Sequence, residues 1–300
     1  MLADSMSTLN SPSPQGPVTT TFANAEKLVA LGINLPAAAM VSGQGILGNE
    51  VLSVLLKKAG RALDQGKFNH NIAGVEAAVI DIIDAAYQPA LHQFKVDTAA
   101  AWSERGAIDR VNESRRNRGL PDLAAIGPDR VKVENDPTSP TEVNDWDVSA
   151  NFGLTVVIAS FFADPSAVAV DWPGLRRTQI VPGPSPLTWW GSGGSSVSRI
   201  VRGFDMGILE RLAASGDPDG AATLAVAIAR PEFSMPTPIS AMPLQDAIEF
   251  TEYLGQVSSG YDRFTAGPPG VGGPLDVLVL QQQSREWVYH KCIHSSLKMR

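Results

Sequence analysis

Two long stretches of helical periodicity follow one another directly, with strand-like runs grouped before and after them. That order constrains the fold more than any other feature. Residues 37–42 (AAAMVS) are small and apolar and run into Gly43-Gln44-Gly45, the pattern of a buried strand ending in a glycine turn. Residues 46–63 then repeat at helical spacing, with Val51, Leu52, Leu55, Leu56 and Ala59 on one side. Residues 74–94 form a second such stretch, with Val75, Val79, Ile82 and Ile83 along its face, and the more polar residues 102–118 extend it as an arm. Residues 2–8 read as the end of a strand entering a loop, 10–17 as a turn-rich loop, and 19–22 and 27–31 as short strands around a bend. Beyond the helices, residues 152–162 read as a buried strand that pairs with 168–170, followed by a Pro/Gly-rich segment over 173–186. A helix starts near Ser196, another covers 243–259, and 275–280 with 287–289 make a closing hairpin. Strands in groups, separated by helix pairs, predict the α+β class; alternating βαβ units would predict a parallel sheet.

The 300 residues suffice for one large core without disulfide staples. The balance of 24 Lys and Arg against 31 Asp and Glu concentrates no basic face, so binding nucleic acid through its phosphates is not expected. Residues 110–118 (RVNESRRNR) read as a solvated helix face or loop. The single cysteine, Cys292, rules out an internal disulfide and suits a cytoplasmic, reducing setting. It lies near His290 and His294 in a tail rich in Lys and Ser, where a free thiol is the plain reading. The polar residues 1–16 lack the apolar core of a signal peptide, and no apolar run reaches the ~18 residues of a membrane span. The four histidines are scattered without metal-ligand spacing, so neither a metal nor a cofactor is expected.

Several segments, taken in order, resemble the proteasome-type branch of the N-terminal-nucleophile hydrolases, and more closely an uncharacterised bacterial family within it. They are Ala3-Asp4-Ser5, Asn24-Ala25-Glu26-Lys27 and Met40-Val41-Ser42-Gly43, then Gly191-Ser192-Gly193 through Arg199-Ile200-Val201 to Gly203-Phe204-Asp205. Met242-Pro243-Leu244-Gln245-Asp246-Ala247 and Val271-Gly272-Gly273-Pro274-Leu275-Asp276 complete the set. The resemblance implies a four-layer α-β-β-α sandwich: one domain over residues 1–291, an inserted helical and loop region at about 99–148, and a tail at 292–300. It implies a threonine-type peptidase or amidohydrolase, acting on a peptide or amide substrate and self-associating as such subunits commonly do. In active members the N-terminal threonine attacks a carbonyl and its own amino group serves as base. Carried over, Asp4 is the residue that orients the active-site lysine, and Lys27 is that lysine. Gly43 is the oxyanion glycine, placed by the resemblance at the start of the first helix, where the helix dipole favours developing negative charge. Ser192 supports the amino group.

Two departures stand out. The Asp and Ser that the family carries just before its Gly-Gly pair are absent from residues 267–273 (GPPGVGG). The motif expected about sixteen residues into the mature chain begins at residue 3, so the first strand and its threonine are expected upstream. Thr19, Thr20 and Thr21 do not replace that threonine, because they follow the Ala-Asp-Ser motif and lead into the lysine strand. A non-catalytic homologue that keeps the fold for assembly or binding is the alternative.

Overall fold

The structure, a computed structural model, describes residues 1–4, 7–11, 18–22, 26–103, 112–113, 116–117, 123–127, 130–133, 140–142, 152–180, 194–202, 208, 219–220, 222–224, 241–264 and 271–290. Strands and helices form separate groups, and every strand pairing among the described residues is antiparallel, which places the fold in the α+β class.

The strands are β1 (Leu2–Ala3), β2 (Ser7–Ser11), β3 (Val18–Phe22), β4 (Leu28–Ala30), β5 (Ala37–Gly43), β6 (Ile46–Leu47) and β7 (Glu50–Val51). Helices α1 (Leu52–Asp64) and α2 (Ile72–Ser103) follow. Next come β8 (Leu123–Gly127), β9 (Arg130–Val133), β10 (Pro140–Glu142), β11 (Leu154–Phe161), β12 (Pro165–Trp172) and β13 (Arg176–Ile180). Helices α3 (Gly194–Arg202) and α4 (Leu244–Asp262) precede β14 (Asp276–Gln281) and β15 (Ser284–Tyr289). The larger sheet has the order β13-β12-β11-β5-β4, and β1-β14-β15 form a second sheet.

Strand β5 explains how the core is divided. Its side chains alternate between the two faces of the sheet, as the period of a strand requires. Ala37, Ala39 and Val41 join the cluster built from Leu52, Leu55, Leu56 and Leu63 of α1, Val75, Val79 and Ile83 of α2, and Val156, Ile158, Val168 and Val170 of the neighbouring strands. Ala38, facing the other way, joins Leu28, Ala3 and Leu278, with Met40 and Trp287 packed alongside. A strand buried on both sides must be apolar throughout, which is why residues 37–42 show no polar alternation. Each fully buried leucine of these clusters contributes about 2 kcal/mol by leaving water. A separate cluster joins α3 and α4 through Val197, Val201 and Leu254. Helix α4 also meets the second sheet: a Cβ on its Gly255 would lie 3.1 Å from the side chains of Leu2 and of Leu275.

Three expectations need correction. The first helix begins at Leu52, not at residue 46. Ile46 and Leu47 instead pair with Val51 and Glu50 in a hairpin closed by Gly48-Asn49, with Gly48 at φ 59°. The second helix runs unbroken to Ser103 despite Pro89 inside it. A proline in mid-helix forfeits one hydrogen bond and costs about 3 kcal/mol, which the packed face on either side of Pro89 offsets. The Pro/Gly-rich segment 173–186, for which the sequence predicts no strand, contributes the edge strand β13 to the larger sheet.

Candidate functional site

The site is built where the two sheets face each other, at the ends of β1 and β4. Ladder bonds fix β1 against β14: Leu2 pairs with Val277 and Ala3 with Asp276, and the Met1 nitrogen donates to the Leu278 carbonyl at 2.7 Å. Buried Ala3 anchors the strand, so Asp4 leaves it from a defined point. On the opposing sheet, the ladder between β4 and β5 extends one residue beyond β4, because the Val41 amide donates to the Lys27 carbonyl at 2.9 Å. Leu28 beside it is fully buried against Ala3.

These two anchored positions bring Lys27 Nζ to 2.8 Å from Asp4 Oδ1. The pair is largely shielded from water, with 21% of the lysine and 15% of the aspartate side chain exposed. The second carboxylate oxygen, Oδ2, accepts the Gly272 amide at 3.0 Å. One aspartate thus ties together β1, the lysine strand and the loop before β14. In that loop Gly273 sits at φ 73°, a conformation that favours glycine. Next to Lys27, Glu26 Oε2 receives Lys57 Nζ from α1 at 2.7 Å, which balances that neighbouring cation.

Gly43 lies two residues beyond Val41, so about 7 Å along β5 from the backbone level of Lys27. It has φ 96°, and a Cβ there would stand 2.3 Å from the Gly153 carbonyl oxygen. Only glycine fits. Two details differ from expectation. A strand hairpin separates Gly43 from α1, so no helix N-terminus stands at this glycine. The amide that follows it, Gln44 N–H, donates to the Gly153 carbonyl at 3.1 Å. The expected oxyanion donor is therefore engaged within the fold. Ser192 lies outside the described residues, as do Trp189, Trp190, residues 265–270, Cys292 and His294.

The structure thus gathers Asp4, Lys27 and Gly43 at one end of the β4–β5 pair. It also adds Asp262, which lies outside every quoted motif, and gives a partner to Asp276, the last residue of the 271–276 motif. Asp262, at the C-terminal end of α4, accepts the Val271 amide at 2.8 Å. Asp276 is completely buried in β14 and meets His290 Nδ1 at 3.3 Å, and the imidazole stacks on Trp287 with centroids 4.1 Å apart. These contacts join residues distant in sequence or hidden in a strand pattern; the order of polar residues alone carries no signal for them.

No group of three His, Cys, Asp or Glu side chains among the described residues could hold a metal ion. No helix among them is long and apolar enough to cross a membrane. No protein-family model matches the chain, and no curated protein matches it.

Chemically, the arrangement offers an ammonium group held at a fixed point by a carboxylate, partly screened from water and beside a glycine-dependent backbone turn. Such a group raises the local positive potential and favours an unprotonated amine or a developing oxyanion nearby.

Proposed function

We propose that this chain is a proteasome-type N-terminal-nucleophile hydrolase that cleaves peptide or amide bonds, with a threonine supplied by a strand preceding β1. The observation that carries this reading is the Asp4–Lys27 pair, held at 2.8 Å by two facing sheets. The layering supports it: α1 and α2 cover one face of the larger sheet, β1-β14-β15 faces the other, and α4 packs on β1 and Leu275. That succession fits a four-layer α-β-β-α sandwich. In this reading Lys27 sets the potential around the threonine amino group, Asp4 orients Lys27, and Gly43 permits the turn beside the reacting carbonyl. Self-association and a cytoplasmic setting belong to the same proposal, the first from the resemblance and the second from the single cysteine.

The test is expression from the reading frame extended upstream, followed by assay on short peptide amides with fluorescent leaving groups. Turnover that disappears in Lys27→Ala and in the upstream Thr→Ala variant is expected. An extended chain that folds and yet releases no fluorophore from a broad peptide panel overturns the hydrolytic reading.

One observation favours a second reading, a non-catalytic homologue used for assembly or binding. The Gln44 amide is committed to the Gly153 carbonyl, which removes the donor that an oxyanion would need. In that case Lys27→Ala leaves the extended protein's interactions intact and no substrate is turned over.

A further inference from the structure

The loop before β14 presents two successive backbone amides, Val271 and Gly272, and a carboxylate holds each one. Gly272 N–H donates to Asp4 Oδ2 at 3.0 Å and Val271 N–H donates to Asp262 Oδ2 at 2.8 Å. Asp4 in turn holds Lys27. The result is a connected series: Asp262 at the end of α4 holds the Val271 amide, the adjoining Gly272 amide holds Asp4, and Asp4 holds the lysine.

The position of Asp262 is electrostatically unfavourable for helix formation. It is the last residue of α4, where the carbonyl ends of the helix carry partial negative charge, and no basic residue occupies that last turn. A carboxylate there needs a compensating partner, and the Val271 amide is one. The same helix end is anchored to α3, because Arg199 Nη1 donates to the Tyr261 hydroxyl at 3.0 Å and its guanidinium lies 5.3 Å from that ring's centroid. The α3–α4 pair is therefore connected through Asp262 to the amides on which Asp4 rests.

From this we infer that Asp262 is a positioning residue for Lys27. It fixes the Val271-Gly272 amides, these fix the Asp4 carboxylate, and Asp4 fixes the lysine ammonium. The residue occupies none of the motif positions carried over from the resemblance, and in sequence it precedes residues 267–273, which lack the family's Asp and Ser. The inference rests on the Asp4–Lys27 pair being the working centre of the protein. Its readout is the chemistry of Lys27 rather than turnover, so a chain without hydrolytic activity tests it equally well.

The experiment is limited acylation of the folded chain with an amine-reactive ester, with the rate at each lysine followed by mass spectrometry. Lys57, paired with Glu26 on α1, is the internal reference. Losing the Val271 hydrogen bond in Asp262→Ala frees the loop, and Lys27 is expected to label about threefold faster while Lys57 keeps its rate, since threefold corresponds to weakening by about one modest hydrogen bond. Asp262→Asn keeps an acceptor oxygen for Val271 and is expected to return Lys27 close to the wild-type rate. An unchanged Lys27 rate in Asp262→Ala overturns the inference. So does an equal acceleration at Lys27 and Lys57, which marks general loosening, and so does an Asn variant that behaves like Ala. Lost turnover in the extended enzyme with unchanged Lys27 labelling in these variants separates a failure of this inference from a failure of the hydrolytic reading.

Discussion

Asp4 and Lys27 are 23 residues apart in the chain and 2.8 Å apart in the fold. Their meeting depends on two strands of different sheets, β1 and β4, facing each other across Ala3 and Leu28. The ion pair is thus a readout of sheet-on-sheet packing as well as a candidate chemical centre. Attraction within the pair is opposed by the cost of shielding both charges, so its net contribution to stability stays small. A double-mutant cycle with Asp4→Asn and Lys27→Met should give a coupling energy of about 1–2 kcal/mol, above that of a fully exposed pair. Denaturant titration of the four proteins measures it. A coupling near zero removes the pair from the list of ordered contacts.

Gly43 is the most sterically demanding position of the site. Its φ of 96° is hostile to side chains, and a Cβ would press to 2.3 Å against the Gly153 carbonyl oxygen, which is backbone and cannot swing aside. Gly43→Ala must therefore shift β11 or break the Leu154–Gly43 pairing. A loss of about 3 kcal/mol or more is expected, from backbone strain added to the clash. Gly48→Ala provides the comparison, since it shares positive φ, at 59°, but has open space around its Cβ. Urea midpoints that fall equally in the two variants contradict the steric account.

The sequence already displays much of this architecture, for reasons that particular residues make plain. The unbroken apolar run of β5 signals a strand buried on both faces, and α1 and α4 carry clear helical spacing. The hairpin of β6 and β7 was hidden because Ile46, Leu47 and Val51 also fit the helical period of α1. The Gly48-Asn49 pair is the turn signal that separates the two. Strand β13 carries no strand signal because Arg176, Arg177, Thr178 and Gln179 have no apolar face: it is an exposed edge strand, and charge on an edge discourages unwanted pairing. Helix α2 outlasts its proline, with Ala99, Ala100 and Ala101 among the strongest helix formers beyond it. Within the site, Asp4, Lys27 and Gly43 are legible in the sequence only through the resemblance. Asp262 was invisible because its partner is a backbone amide, which leaves no mark on residue identity.

Tyr87 gives a prediction with a pH signature. Its ring is fully buried in the core between Phe152 and Trp172, and its hydroxyl donates to the Phe152 carbonyl at 2.9 Å. Burial, reinforced by the negative charge of Asp84, pushes the phenol up to about 12. An unfolded tyrosine ionises near 10, so between about pH 10 and 12 the folded state holds the extra proton and stability falls as pH rises. Tyr87→Phe leaves the Phe152 carbonyl without this donor and should cost about 1–2 kcal/mol at neutral pH. It should also lose less stability than the parent on going from about pH 9 to about pH 11, because its own ionisation is gone. Urea unfolding at the two pH values checks both statements. Parallel alkaline losses in the two proteins exclude Tyr87 as the titrating group.

Arg285 holds the sheets together at the other end of β4, away from Lys27. From β15 its guanidinium donates to the carbonyls of Leu31 at 2.7 Å, Ile33 at 2.9 Å and Leu35 at 3.1 Å, and to that of Gly32. The turn between β4 and β5 is thereby wrapped around one side chain, and Asp64 accepts the Ile33 amide at 2.9 Å from the α1 side. Burial lowers the pKa of the guanidinium and the charge of Asp64 works against that fall, so the cation is held at some cost in desolvation. The carbonyls have no equivalent donor in Arg285→Met, and a loss of about 2–4 kcal/mol is expected. Arg285→Lys should recover less than half of it, because a compact ammonium cannot span a set of carbonyls that a planar fork reaches together. Hydrogen exchange should then show the turn amides of Leu31 and Ile33 opening before the amides of β5 in both variants. A lysine variant as stable as the parent means that charge alone holds the turn, and the fork geometry is dispensable.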